Sequence, residues 1–424
     1  MEIETFADVG PRRRQELFDR QGDLDAIRGD VSAILQAVKT SGDEALREFS
    51  QTYDDVVIQN IDVTDLLPRA IDEVDKETLE AIDTAIQNVE EFHERQLPID
   101  WLEDFNGREL GRRFRPLERI GAYVPGGTAA YPSSAIMTVV PAKVAGVEQV
   151  VVTTPPGDPV HPVTLAALHK AGADAVYQVG GAQAVAAMAY GTETVPAVDK
   201  IVGPGNRWVT AAKAEVRNTV DIDFLAGPSE ILVIADESAD PAYIAADLVA
   251  QAEHGPRSPC VLVTDSRAVA EDVITSLESQ RSRTTRPETI QSALTYEASG
   301  IFVVRSMSEA ISFANAYASE HLSIQAEDEE QILSRITSAG SIFLGPYTPV
   351  AAGDYASGTN HVLPTGGVAS IAGGLSVDTF LRGTTVQRLS KDALCELAPT
   401  ITRLAEAEGL DAHATSVRER FHSE

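Results

Sequence analysis

The chain has 424 residues, 43% of them apolar and 23% charged, the balance of a soluble globular protein with more than one core. It carries 64 acidic side chains against 34 basic ones, only seven of them Lys, for a formal net charge of −30. Such a surface repels nucleic acid and anionic lipid, so neither is expected as a partner. High salt screens the self-repulsion, and a halophilic protein is expected. No segment approaches the roughly 20 apolar residues that span a bilayer. The opening MEIETFADVGPRRRQ lacks the apolar core of a signal peptide, which gives the expectation of a cytoplasmic protein without membrane contact. Cys260 and Cys395 are too few for a disulfide framework or a Cys-based zinc site and read as small core residues.

After an N-terminal arm, residues 1–22, helical periodicity runs over 23–95; in DKETLEAIDTAIQNVEEF, Leu79, Ile82, Ile86 and Val89 share one face. From about residue 110, short β-branched runs alternate with Ala-rich helical stretches: VEQVVVTTPP, VTLAALHKAG, DAVYQVGGAQ, AVAAMAYG, VDKIVGPGN. After DFLAGPSE the rhythm restarts with EILVIAD, PAYIAADLVAQAEH and CVLVTD. This is the βαβ rhythm of mainly parallel sheets. The fold class is therefore α/β, with two Rossmann-like parallel-sheet domains and helical N- and C-terminal extensions. The expected division is 23–122 with 231–375 as a first α/β domain and 123–230 as a second. Residues 376–424 form a C-terminal tail in which the strand signal stops. There Leu394, Leu397, Ile401 and Leu404 form one helical stripe, with a kink expected at Pro399. A tail with so little core of its own must pack on something else, such as a second subunit.

Three glycine-rich loops follow strands: YVPGGT (123–128), VGGAQA (179–184) and VGPGNRW (202–208). Glycines there let backbone approach a ligand, and the next helix N-terminus favours a phosphate. None is a full GxGxxG, so the dinucleotide-binding type is incomplete, and each loop taken singly is also an ordinary tight turn. Tyr123, Gln183 and Asn206 sit at their tips. In LVAQAEHGP (248–256), Gln251 and His254 stand three apart at a helix end and can reach one point. They read as half of a metal site or as a polar helix end. ASEHLS pairs Glu320 with His321, a combination suited to general acid–base work or simply an exposed helix end. AAGDYASGTNHVLPTGG (351–367) places Asp354 and His361 in a stretch too rich in Gly and Thr for a regular element, a good loop for metal ligands. Spacing alone favours His361 as the partner of Asp354. In EGLDAHATSVRER, Glu408 and His413 lie near the end of the tail.

In order, YVPGG, VGGAQA, KIVGPGN, AGPSE, QAEHGP, ASEHL, GDYASGTNHVLPT and EGLDAH resemble the histidinol dehydrogenase family, from about residue 115 to 413. The resemblance implies one Zn2+ per subunit held by Gln251, His254, Asp354 and His413, leaving His361 as a pocket neighbour. It makes Glu320 and His321 catalytic and Tyr123, Gln183 and Asn206 contacts for NAD. Ser229, Gln251, His254, His321, Asp354, Glu408 and His413 become contacts for the substrate, L-histidinol. The first domain then carries most of the zinc and catalytic site, and the second the NAD loops. The tail is expected to reach the neighbouring active site of a homodimer. The implied reaction is NAD-dependent four-electron oxidation of L-histidinol to L-histidine through a bound histidinal, the last steps of histidine biosynthesis. A zinc-dependent hydrolase using the same ligands and a non-catalytic nucleotide-binding protein are the alternatives.

Overall fold

The computed structural model describes residues 1–20, 24–126, 130–157 and 160–421. The boundary expected between residues 22 and 23, and Gly127 and Thr128 of the first glycine loop, lie outside them. By internal contacts the chain forms two compact units, residues 1–96 with 117–380, and residues 97–116 with 381–424.

In chain order the strands are β1 (Ile3–Thr5), β2 (Trp101–Asp104), β3 (Arg108–Pro116), β4 (Arg119–Tyr123), β5 (Gln149–Thr154), β6 (Ala175–Gln178) and β7 (Lys200–Val202). There follow β8 (Asp221–Ile222), β9 (Ile231–Ala235), β10 (Cys260–Thr264), β11 (Gly300–Val303), β12 (His321–Gln325), β13 (Ser341–Leu344) and β14 (Leu381–Leu389). The larger unit holds two all-parallel sheets, ordered β6-β5-β4-β7-β8 and β1-β11-β10-β9-β12-β13. Counted from its own first βα unit, each sheet runs 3-2-1-4-5, and β1 is added at the edge of the second. The paired Rossmann-like layout is therefore present, with a reversal of strand order beside β4 in one sheet and beside β9 in the other.

Parallel strands covered on both faces read as unbroken apolar runs. β9 (ILVIA) and β10 (CVLVT) are buried throughout. Successive residues of β9 feed opposite cores: Ile231, Val233 and Ala235 pack with the helices Pro241–Ala252 and Arg267–Arg281, Leu232 and Ile234 with the helix Met307–Tyr317. Each such Ile, Leu or Val contributes about 1.5–3 kcal/mol. The N-terminal arm is part of this sheet. β1 pairs with β11, and Phe6 and Phe18 pack their rings on Phe313 with centroids 4.9 and 5.2 Å apart.

Two features depart from the sequence reading. The helix Arg28–Tyr53 was grouped with the six-stranded sheet, but its buried Val31, Ile34, Leu35 and Val38 join the core of the five-stranded one. The physical reason is the partner helix Gly181–Tyr190, whose buried Ala182, Ala184, Ala186 and Ala187 leave room for close approach. The tail is also not wholly helical. Residues 381–389 form β14, antiparallel to β3, which in turn pairs with β2, and this three-stranded sheet belongs to the smaller unit. The rest of the tail is the helix Lys391–Ala407, running through Pro399, and the helix Asp411–Arg418. Among the described residues no helix is long and apolar enough to cross a membrane.

Candidate active site

The carboxyl edge of the five-stranded sheet carries the glycine loops. Tyr123 ends β4, and its hydroxyl accepts from Gly181 N–H at 3.2 Å, tying the first loop to the second. Burial pushes this phenol up to about 12, so it stays neutral. Gly203, at φ +112°, lies so close to β4 that a Cβ would stand 2.3 Å from the carbonyl oxygen of Tyr123; only glycine fits. A buried pair holds this turn from below: Lys213 Nζ binds Asp223 and donates to Gly203 O at 3.0 Å, while Asp223 Oδ2 accepts from Gly203 N–H at 2.8 Å. Asn206 is the N-cap of the helix Arg207–Val216, its Oδ1 accepting from Trp208 and Val209 N–H at 2.9 and 3.2 Å. The cap role went unread in the sequence, although Asn before a helical run is its signature. It leaves the amide Nδ2 as the end available to a ligand. Tyr123, Gln183 and Asn206 line one cavity of about 860 Å³ together with Tyr53, Asp54 and His254.

The six-stranded sheet turns its amino edge to the chemistry. The helix Pro241–Ala252 ends with buried Gln251, and His254 lies in the turn beyond it, open to the cavity. Surrounding protein nevertheless desolvates the imidazole and lowers its pKa. Glu320 and His321 do not sit on a helix end. Ala318 breaks the helix Met307–Tyr317 in the left-handed region, Glu320 lies in the short connection, and His321 opens β12. The connection is pinned by Gly340 N–H to Ser319 O at 2.9 Å and Ser341 N–H to Glu320 O at 2.8 Å. A Cβ on Gly340 would come within 2.6 Å of that Glu320 oxygen, which again demands glycine.

His321 is buried and neutral: burial first, then the neighbouring His254 and His361, bring its pKa down to about 3. Its Nδ1 lies 3.1 Å from Gln251 Oε1, so Nδ1 is the protonated nitrogen and donates. Nε2 then carries the free lone pair; it has no hydrogen-bond partner and lies 3.7 Å from Asp354 Oδ1. Glu320 Oε2 accepts from Glu230 N–H at 2.8 Å. Burial raises the Glu320 carboxyl well above its usual range; the nearby Glu230 and Asp354 carboxylates add to this, while the Glu230 N–H and the Ser229 hydroxyl oppose it. Asp354 sits on a short helix, Val350–Tyr355, where the sequence suggested an irregular loop, and burial raises it to about 7. His361 Nδ1 donates to Asp354 O at 2.8 Å, which ties it to the backbone beside the carboxylate, and its Nε2 lies 3.4 Å from Ser134 Oγ.

Gln251, His254 and Asp354 thus surround His321 with one amide, one imidazole and one carboxylate. Among the described residues no group of three His, Cys, Asp or Glu side chains stands ready for a metal ion. The donor types still suit zinc: Gln251 Oε1 keeps a second lone pair, and its Nε2 is buried without a partner. Glu408 caps the helix Lys391–Ala407 and His413 lies on the helix Asp411–Arg418, both exposed and both in the smaller unit.

The family profile described as Histidinol dehydrogenase matches residues 18–421. The chain belongs to the histidinol dehydrogenase family. It is 63% identical over 421 residues to a histidinol dehydrogenase of Haloarcula marismortui, covering 99% of this chain and 100% of that one. It is 61% identical over 425 residues to that of Halobacterium salinarum, covering all of both chains. The crystal structure of histidinol dehydrogenase from Elizabethkingia anophelis superposes with a TM-score of 0.94 at 38% identity, covering 100% of this chain and 98% of that one. Within this family frame, Glu230 and Arg20 are the site residues that sequence reasoning missed. Nothing in AGPSE singles out Glu230, and Arg20 lies 210 positions away from it with no pattern to connect them.

Proposed function

We propose that the chain oxidises L-histidinol to L-histidine in two successive two-electron steps, the aldehyde remaining bound between them. The family carries the reading, and the neutral His321 with an unpartnered Nε2 beside the Glu320 carboxyl is the observation that supports it. NAD, when bound, accepts the hydride of each step; Tyr123, Gln183 and Asn206, which line one cavity, would contact it. A zinc ion held by Gln251, His254, Asp354 and His413 would fix the imidazole and amine of the substrate. His321 Nε2 takes the hydroxyl proton as the carbinol carbon is oxidised. Glu320, held by the Glu230 N–H, takes a proton from the water that adds to the aldehyde, and the hydrated aldehyde loses its hydride in turn. Enclosure of both groups by protein keeps the aldehyde from side reactions. Ser229 and Glu408 are read, from the family resemblance, as further substrate contacts.

NADH formation from histidinol, followed by its absorbance with and without a chelator, tests this reading. The expected result is about two NADH per histidinol, lost on chelation, and about one divalent ion per chain in the purified protein. Hydrolysis without NADH would favour the zinc-hydrolase alternative, which the family does not support.

The second part of the proposal is a homodimer in which the tail completes the neighbouring site. Leu394, Leu397 and Ile401 of the tail stripe are only partly buried and Leu404 is 59% exposed, as expected for a face awaiting a partner. In that arrangement each site takes His321 from one chain and His413 from the other. Homodimers of His321→Ala and of His413→Ala are each nearly inactive, whereas in a mixed dimer both defects fall in one site. Random reassembly of equal amounts then restores about a quarter of wild-type activity. No recovery, with mixed dimers demonstrated, rules out the shared site. The acid excess is read as adaptation to high salt in a cytoplasmic enzyme.

A further inference from the structure

Behind the Glu320 carboxyl lies a buried ion pair. Glu230 stands between the AGPSE turn and β9, and its backbone serves both residues of the proposed catalytic pair. Its N–H donates to Glu320 Oε2 at 2.8 Å, and its carbonyl accepts from His321 N–H at 3.2 Å. Its own carboxylate is fully engaged. Oε2 accepts from Arg20 Nε at 2.6 Å, and Oε1 accepts from Arg20 Nη2 at 3.0 Å and from Gly366 N–H at 3.1 Å. Arg20 spends its remaining donors on Tyr317 O at 2.7 Å and on Leu17 O and Phe18 O at 3.3 Å, and its guanidinium lies 3.4 Å from the centroid of the Tyr317 ring. The two side chains are 2% and 1% exposed.

This pair joins three segments that meet nowhere in the sequence: the end of the N-terminal arm, the start of β9, and the loop that follows Asp354 and His361. Its forked geometry fixes direction as well as distance. Stability alone is a poor reason to keep such a pair, because apolar residues of similar volume are often equal or better in a dry interior. Its location supplies another reason. Glu230 and Glu320 are carboxyl groups in one desolvated pocket, and Arg20 offsets part of the charge that Glu230 turns on Glu320.

We propose that Arg20 and Glu230 are positioning residues that hold Glu320 in place for water addition to the bound aldehyde. The proposal rests on the reading of Glu320 given above. It separates the two oxidations. Water addition depends on the Glu320 side chain, while the alcohol step depends on His321, whose N–H bond to the Glu230 carbonyl is main chain and survives side-chain replacement.

The test measures the two steps separately: single-turnover oxidation of histidinol for the alcohol step, and oxidation of supplied histidinal for the aldehyde step. In Arg20→Met the Glu230 carboxylate is left unbalanced, and the aldehyde step falls roughly tenfold or more beyond any fall in the alcohol step, with KM for histidinol little changed. Arg20→Lys keeps the charge without the fork and falls in between. In Arg20→Met/Glu230→Gln both charges are gone and the main-chain contact stays, so the aldehyde step recovers above the single variant. Circular dichroism and thermal unfolding report which variants are folded. If Arg20→Met is not, the lysine and double variants carry the same comparison. Equal losses in both steps across the folded variants, or a double variant no better than the single one, would overturn the assignment while the functional reading stands. Wild-type protein that makes no NADH from either compound overturns the functional reading and this assignment with it.

Discussion

The two parallel sheets share one strand order but carry their proposed functional residues at opposite edges. The five-stranded sheet offers the carboxyl ends of β4, β6 and β7, where glycine turns and the starts of the helices Gly181–Tyr190 and Arg207–Val216 line the cavity. That is where an open α/β sheet ordinarily binds. The six-stranded sheet has the same reversal, between β9 and β12, but the carboxyl ends of β9, β10 and β12 lead into Asp236, Asp265 and Glu327 without glycine turns, and a glycine, Gly345, directly follows only β13. Asp265 is held above its usual pKa by burial and by Asp236, a setting hostile to phosphate. Its amino ends instead carry Glu230, Glu320 and His321. On the proposed reading the same topology serves for binding in one copy and for acid–base chemistry in the other. The difference lies in which loops carry glycine and which carry buried titratable groups.

The largest test of this division lies on the amino edge. His321→Ala removes the only base proposed for the alcohol step, and kcat falls by about 10² to 10⁴ with NAD binding retained. Binding is read from the fluorescence of NADH added to the variant. Lost binding, with lost turnover, would mean that the two sheets do not divide the work. Glu320→Gln follows. An amide accepts no proton from water, so oxidation of histidinal falls on the order of 10²-fold while single-turnover oxidation of histidinol falls less. Equal losses would give Glu320 a different task.

On the carboxyl edge the effects are smaller and of another kind. Asn206→Ala loses the helix cap, about 1 kcal/mol in chemical denaturation, and also the amide donor. Asn206→Asp keeps the cap and loses only the donor. Both are expected to raise KM for NAD severalfold with kcat little changed; an aspartate variant with wild-type KM would leave Asn206 as a cap alone. Smallest of all is Cys260→Ala. Cys260 is fully buried at the start of β10, and burial drives its thiol upward, away from the thiolate a covalent route needs. Activity should stay within about twofold, with a stability loss of about 1 kcal/mol. Abolished turnover in folded protein would revive a thiohemiacetal path. Cys395, exposed, is expected to tolerate alanine without either effect.

The sheets were legible because buried parallel strands write themselves as apolar runs such as ILVIA and CVLVT, punctuated by glycine. The order of motifs gave the family and, through it, the residues around His321. Periodicity says nothing about which edge of a sheet will meet a ligand, so the opposed edges were out of reach. β14 was missed for a different reason: LRGTTVQRL is exposed or half-exposed along its whole length, with no buried face to impose alternation. Asp354 read as a loop residue because its helix is six residues long and set among glycines. The Arg20–Glu230 pair depends on a contact between distant segments, and a single sequence contains no sign of it.

Opposed edges also give the cavity an electric direction. At the cavity the helices Gly181–Tyr190 and Arg207–Val216 begin, and the helix Pro241–Ala252 runs out towards His254. Helix starts are partially positive and helix ends partially negative, each worth about half an elementary charge. On the proposed reading, a cationic group would be favoured at the helix end and dinucleotide phosphates at the helix starts. The fold is polarised across the cavity before any side chain acts.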